Sequence, residues 1–540
     1  KLMGLTWEKR TYPFNGASGV YDGLMAEAVL RFQAIARGEL LPAAGPVKTQ
    51  IVGASSQELE DQASRVKMFM NLYLTDLAPE WYEEFDQMLL WLPLIGSAFK
   101  KVYQDSVLLR PVAPFIDPQN FIVPYTASDL ETAVRMTEVL NMNRRRLRQR
   151  QLNGLYRDIS LPPPEQNGIS SDNPITTAVQ QTEGVTPVTM AKGTDNDYQL
   201  LEQHRDMVID GWSEPGAPAD LPLPYIITVE KNSRKVLGVR RNWKQGDTRY
   251  QRRPYYVHYK MFPGFGFYGM GYAHILGSAA ASATATRRQL HDTATLNAFP
   301  GGLRVKGMRI EDNNLGIGPT EFREIDTGGQ PIQQAVMSMP YKEPSPVMLE
   351  LLRDTKGQAE KLVGNAEIAV GDGRQDAPVG TTVALLEQAT KLQSASIKRG
   401  YQAQRREFKM IAAIFGETLP ETPYPFPVPG AQAAIMRSDF SDRIDILPVG
   451  DPNVTNQAQR MLRAETVVRG AQTSPQIHDA RAAYQVMYEQ MGFDAQQIAR
   501  FLPTPQQAQP LDPLSENQNG MLGMPVRAAP WQDHQAHIMV

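Results

Sequence analysis

The run GFGFYGMG sets Gly264, Gly266 and Gly269 in the spacing G-x-G-x-x-G. A strand-like stretch, RRPYYVHYKMF, comes before it and a helical stretch comes after. Asp292 follows at about 20 residues, where a ribose-binding acid would stand. Residues of these types at this spacing can cradle a pyrophosphate on bare backbone amides. Two features oppose that chemistry. Asp292 falls inside the following helix rather than at the end of a second strand, and Phe265, Phe267 and Tyr268 would crowd a pyrophosphate. The plainer reading is a turn whose glycines let the chain swing from a sheet into a helix.

Other chemistry finds no constellation. There is no phosphate-loop sequence and no G-x-S-x-G elbow. Cysteine is absent, which excludes disulfides and thiolate chemistry. His204, His258, His274, His291, His478, His534 and His537 form no zinc spacing. The sequence therefore predicts no enzyme, no cofactor and no metal. A net charge of -3 with 21% charged residues excludes a strongly basic nucleic-acid binder, but not a protein that meets DNA without gripping it. No run of about 18 apolar residues predicts a membrane span.

The elements around these residues read as α+β and mainly helical. Helical spacing marks GLMAEAVLRFQAIARG and SSQELEDQASRVKMFMNLYLTD, the second capped at Ser55-Ser56. A third helix is expected over PEWYEEFDQMLLWLPLIGSAFKKVY, kinked or split at Pro93. Proline-punctuated short strands follow, then a helix from about Asp129 that ends in Arg144, Arg145, Arg146, Arg148 and Arg150. Arginines at a helix end favour the dipole and stay solvated, and no aromatic residues interleave with them as base stacking would need. Residues 161–197 read as a mobile insertion rich in Pro, Ser, Thr, Asn and Gly. YQLLEQHRDMVID and a hairpin turned at Asn232-Ser233 restore strands. A long helix from Val383 to about Phe415 spans roughly 50 Å. Short helices follow it, and the Gln/Pro-rich tail from Pro503 is expected to be disordered.

The helix Gly277–Ala298 is unusual because nearly all its early side chains are small. Ala279, Ala280, Ala283 and Thr284 make it slim enough to lie between two close neighbours. A ring closed by heterologous contacts would need that; a crowded core within one chain is the alternative.

The order FYGMGYAHILG, small-residue helix, LNAFPGGLRVKG, EFREIDTGGQPI, charged helix and glycine-rich loop resembles the portal proteins of tailed bacteriophages. GSAFKKVYQD, PQNFIVPYTASDLETAVRMTEVLNM and LLEQHRDMVIDG add to the likeness, which is strongest to portals of short-tailed phages of enteric bacteria and covers roughly Gly96 to Phe415. It rests on the number and order of blocks. The resemblance implies a homo-oligomeric ring, usually of twelve copies, at one capsid vertex. Such a ring conducts double-stranded DNA during packaging and ejection. Its implied partners are the terminase large subunit, head-tail adaptor and tail proteins, and major capsid and scaffolding proteins. Its implied location is the virion, with assembly in the host cytoplasm and no membrane.

The same resemblance implies a division into wing (1–270), stem helix (271–298), clip (299–344), second stem helix (345–370), tunnel loop (371–380), long wing helix and return strands (381–455), crown helices (456–502) and tail (503–540). Gly371, Asp372, Gly373, Arg374, Gln375 and Asp376 would be nearest the DNA, with Arg374 meeting phosphates transiently. Arg353, Lys356, Glu360 and Lys361 would be stem candidates for the channel. Arg304, Lys306, Arg309, Glu321 and Arg323 would face terminase and later the adaptor. Ala279, Ala280, Ala283 and Thr284 would pack between subunits. Prolines 503, 505, 510 and 513 argue against the C-terminal helical barrel of larger relatives. The alternatives are a nucleotide-binding enzyme on the glycine turn and another ring-forming scaffold protein.

Overall fold

The computed structural model describes the chain apart from residues 1–2, 5–6, 43–44, 55, 164–196, 210, 212–213, 215, 217, 219, 299–301, 305–308, 311–324, 327–335, 339–341, 364–378, 429–430, 442, 450–456, 475, 477, 492, 494, 503–520 and 522–540. The expected insertion, all but its ends, and the expected disordered tail, apart from Met521, thus lie outside the described residues. The chain is mixed helix and sheet, in two units: Lys1–Phe426 with Ala434–Asn456, and Pro427–Ala433 with Gln457–Val540.

The first unit opens with α1 (Leu24–Leu40), β1 (Val47–Ile51), α2 (Gln57–Leu72) and α3 (Glu80–Ile95). Ser56 caps α2, its hydroxyl accepting the Leu59 N–H at 3.4 Å. Then come β2 (Ser97–Lys101), β3 (Tyr103–Gln104), β4 (Pro111–Val112), β5 (Phe115–Ile116), β6 (Phe121–Ile122), β7 (Arg135–Met142) and α4 (Arg144–Leu152). β8 (Tyr198–Met207), β9 (Leu223–Glu230), β10 (Val236–Arg241) and β11 (Tyr256–Lys260) complete the main sheets. α5 (Tyr272–Ile275) and α6 (Gly277–Ala298) lead to β12 (Gly302–Arg304), β13 (Arg309–Ile310), β14 (Ile325–Asp326) and β15 (Val336–Ser338). α7 (Pro346–Val363) and α8 (Val379–Thr418) return, followed by β16 (Tyr424–Val428), β17 (Ala431–Ile435) and β18 (Ile444–Pro448). The second unit holds α9 (Gln457–Thr473), α10 (Ala480–Gln490) and α11 (Ala495–Phe501). Val468, Ala471 and Ala483 form its small core.

Two antiparallel sheets carry the first unit, one ordered β10-β9-β8-β7-β6 and one ordered β11-β2-β5. Phe99, Phe121, Tyr256 and Phe267 belong to one aromatic core. Met142, Leu147, Tyr156, Leu200 and Leu237 close a second core where α4 meets the larger sheet. The 40 residues of α8 run about 60 Å at 1.5 Å per residue.

Two expected helices are corrected. GSAFKKVY does not extend α3, and Pro93 does not split it. α3 passes Pro93 and stops at Gly96, whose φ of 94° is the left-handed conformation that ends a helix. The chain then forms β2, buried at all five positions. Nor does a helix start at Asp129. Its carboxylate instead caps a turn, accepting the Thr132 N–H at 2.7 Å. Arg135–Met142 pairs with β8 at every position from Arg135↔Arg205 to Met142↔Tyr198, and that ladder overrides helical spacing. The arginine string therefore begins a helix, α4, capped by Asn143, rather than ending one.

Candidate functional site

The glycine turn is built for backbone contact. A Cβ on Gly269 would stand 2.4 Å from the Gly96 carbonyl oxygen, and one on Gly271 would stand 2.5 Å from the Gly96 nitrogen. One on Gly96 would meet the Met270 carbonyl carbon at 2.1 Å. Three amides at the end of the turn are already engaged. Gly269 N–H donates to Ser97 Oγ at 2.7 Å, Met270 N–H to the Phe262 carbonyl at 3.0 Å, and Gly271 N–H to His274 Nδ1 at 3.1 Å. Asp292 accepts the Ser18 N–H at 2.6 Å and pairs with Arg10 at 3.2 Å. Gly264, Gly269 and Asp292 of the dinucleotide fingerprint thus have packing duties in this chain, while Gly266 stands in open space, and this weakens the nucleotide-binding alternative. Phe265 projects fully into solvent between two glycines.

α6 and α7 pack together, and a strap over residues 8–22 binds along α6. Arg288 pairs with Glu8 at 3.1 Å, donates to the Val20 carbonyl at 2.8 Å, and lies 4.3 Å over the Tyr21 ring. Asp22 is the hub. Its fully buried carboxylate holds Arg287 of α6 at 3.3 Å and Lys356 of α7 at 3.0 Å, and accepts the Leu24 N–H that opens α1. Its own N–H donates to Thr284 Oγ1 at 3.1 Å. One acidic side chain thereby ties three helices. Neither Asp22 nor the strap was expected from the sequence. An Asp just before a helical run reads only as a cap, and nothing local reports partners more than 260 residues away.

The small residues of α6 divide between two faces. Ala280, Ala283 and Thr284 are buried within the chain, at 1%, 0% and 9% exposure. This corrects their assignment to subunit packing: their small size lets the strap and α7 approach. Ala279 is half-buried between the faces. Ser278, Ala281, Ser282 and Ala285 form the outward face at i, i+3, i+4 and i+7.

On α7, Ala359 and Val363 are buried, Arg353 and Lys361 are exposed, and Glu360 is half-buried. Lys356 is held by Asp22 rather than free. Val347, Leu351 and Leu362 are exposed, and at 100° per residue they fall within about 60° of one another, on a face they share with the exposed Asp354 and Gln358. Beyond α6, β12 pairs antiparallel with β15, Arg304 opposite Val336, and β13 with β14, Arg309 opposite Asp326. Lys306, Glu321 and Arg323 lie outside the described residues, as do Gly371, Asp372, Gly373, Arg374, Gln375 and Asp376.

A cavity of about 320 Å³ opens between the sheets beside Lys101, Glu138, Glu202, Arg150 and Arg240. Lys101 is clamped by Glu138 at 2.6 Å and Glu202 at 2.8 Å. Burial, the largest single influence, works to raise the Glu202 carboxyl, but Lys101, His204 and Arg240 together outweigh it and hold it well below the usual range. Burial pushes the His204 pKa down. The charged walls satisfy one another, as in a structural polar seam. Among the described residues no group of three His, Asp or Glu is placed to hold a metal, and no helix is long and apolar enough to cross a membrane. No protein-family model matches the chain, and no curated protein matches its sequence.

Proposed function

We propose that this chain is a ring-forming conduit of the portal type, in which copies surround a channel for double-stranded DNA. The observation that carries this reading is the order and pairing of elements from Gly277 to Thr418. A slim helix runs out, two short strand ladders form, an amphipathic helix returns against the first, and a 40-residue helix follows. Two uncovered surfaces support it. α6 keeps a small-residue outer face and α7 exposes Val347, Leu351 and Leu362 among polar residues, and these are different surfaces. Two different surfaces meeting between copies make a heterologous contact, and such contacts close into rings when the rotation permits. The step from fold order to function is analogy. In this reading the ring has twelve copies at a capsid vertex of the virion and assembles in the host cytoplasm. Residues 299–344 meet the terminase large subunit and later the adaptor and tail. Major capsid and scaffolding proteins contact the ring, and residues 371–380 lie nearest the DNA.

Light scattering and end-on negative-stain images of the purified chain test this. A mass near twelve chains with a central hole is expected. A closed assembly without a through-channel would favour the scaffold alternative. A small oligomer that binds a dinucleotide would overturn the reading.

A further inference from the structure

We infer that the end of the five-stranded sheet that carries α4 binds the phosphate backbone of duplex nucleic acid. This inference does not rest on the ring reading. Several segments bring cations there. β7 ends at Met142 opposite Tyr198 of β8, and α4 starts two residues later with Arg144, Arg145 and Arg146. Leu147 of α4 sits in one core with Tyr156, Tyr198, Leu200 and Leu237, which fixes the helix over this end of the sheet. The loop after α4 carries Arg157, whose N–H donates to the Leu237 carbonyl of β10 at 2.7 Å. The β9–β10 turn carries Arg234 and Lys235, and Lys235 Nζ reaches the Ser160 carbonyl of that loop at 2.9 Å. All six cations are exposed. Arg148 takes up the Asp158 carboxylate, so that acid does not neutralise the others.

The fold gains nothing from cations at two of these places. Arg144, Arg145 and Arg146 occupy the first turn of α4, at the positive end of its dipole, where a cation is unfavourable and an acid would be preferred. Solvated arginines at a helix C-terminus would need no further account; these stand at the opposite end. Arg234 adopts φ 56°, a conformation that glycine or asparagine takes at lower cost. A chain of net charge -3 thus gathers six exposed cations at one sheet end, where the exposed described acids are Asp158 and Asp197, against its own local preferences.

The chemistry points to phosphate. Four of the six are arginines on α4 and its following loop, and a guanidinium grips phosphate oxygens in two-point fashion. No exposed aromatic side chain interleaves with them, so the surface lacks the stacking platform that single strands use. What remains is sequence-independent contact with a duplex backbone.

The test is fluorescence anisotropy of the full chain with a short labelled duplex, titrated across salt, beside a triple variant Arg144→Gln, Arg145→Gln, Arg146→Gln. Its side chains point outward, so unchanged circular dichroism is expected. Affinity should fall at least about tenfold, and the slope of log K against log salt should flatten by about 0.9 for each lost phosphate contact. The corresponding triple lysine variant should keep most of the binding. Arg234→Gln with Lys235→Gln, on a separate element, should weaken binding independently. Wild-type chain that ignores the duplex at low salt, or a glutamine variant with an unchanged slope, would overturn the inference. Polyglutamate bound as tightly as the duplex would overturn it too, by marking an acidic-protein docking face. The oligomer mass of the glutamine variant should match wild type, so failure here leaves the ring reading standing.

Discussion

Glu407 of α8 lies where four elements converge. Lys100 of β2 pairs with it at 2.7 Å, Trp81 Nε1 of α3 donates to it at 2.6 Å, and the Tyr259 hydroxyl of β11 donates to its other oxygen. Lys100 and Glu407 are both 0% exposed, and the Lys100 ammonium stands 4.9 Å from the Trp81 ring and 5.1 Å from the Phe85 ring. Removing one partner strands the other charge without water. Glu407→Ala should therefore cost about 3–5 kcal/mol, whereas an apolar replacement of both should cost less, leaving no stranded charge but only the Trp81 N–H and Tyr259 O–H without an acceptor. Urea unfolding of the two variants checks this; equal losses would refute it. His258 makes the second residue-scale case. Burial, with Lys260 adding to it, pushes its pKa down to about 3, and its ring packs against both Phe99 at 4.6 Å and Phe267 at 4.8 Å. The unfolded chain takes the proton first, near pH 6.5. Stability from this residue is complete above that pH and declines toward pH 3, by about 1.4 kcal/mol per pH unit. A His258→Phe variant should lose less stability over that window; matching pH profiles would show that His258 does not carry the effect. Neither site was legible in the sequence. Two adjacent lysines in GSAFKKVY look like a solvated surface, and only the pairing of β2 with β11 and β5 buries both.

At the scale of elements, the sequence carried most helices and the β9–β10 hairpin, because periodicity and turn chemistry are local. It misread Arg135–Met142, whose strand depends on two neighbours and on Glu138 reaching Lys101. It placed α6 at its observed bounds but could not say which small residues face inward. That choice is made by the strap, and the strap is held chiefly by Asp22, Glu8 and Arg10. Asp22→Ala should loosen α6 and α7 together, since it releases Arg287, Lys356 and the entry to α1 at once. The cost should be about 2 kcal/mol, because both cations are half-exposed and can return to water. Hydrogen exchange should show faster opening in both helices and little change in the five-stranded sheet. Acceleration confined to α1 would mean that Asp22 is only a helix cap.

At the scale of the whole molecule, the two faces of α6 separate folding from assembly. Ala283 has no exposed surface and sits against the chain's own elements, so a larger side chain there must displace them. Ala283→Trp should destabilise the isolated chain by at least about 1–3 kcal/mol. Ala281 points outward from the same turn, and a larger side chain there meets only water in a single copy. Ala281→Trp should leave the unfolding of the isolated chain unchanged. In the proposed ring, however, that face must admit a neighbour's helix at close range, and an indole would hold the two helices apart. Charging the exposed face of α7 with Leu351→Asp should act in the same way from the other surface, since that side chain is also exposed in a single copy. Both outward variants should fold like wild type yet lose the high-mass assembly in light scattering. If both keep the full assembly mass, the slim outer face of α6 and the exposed face of α7 do not join copies. The ring would then have to be held by other surfaces of the chain.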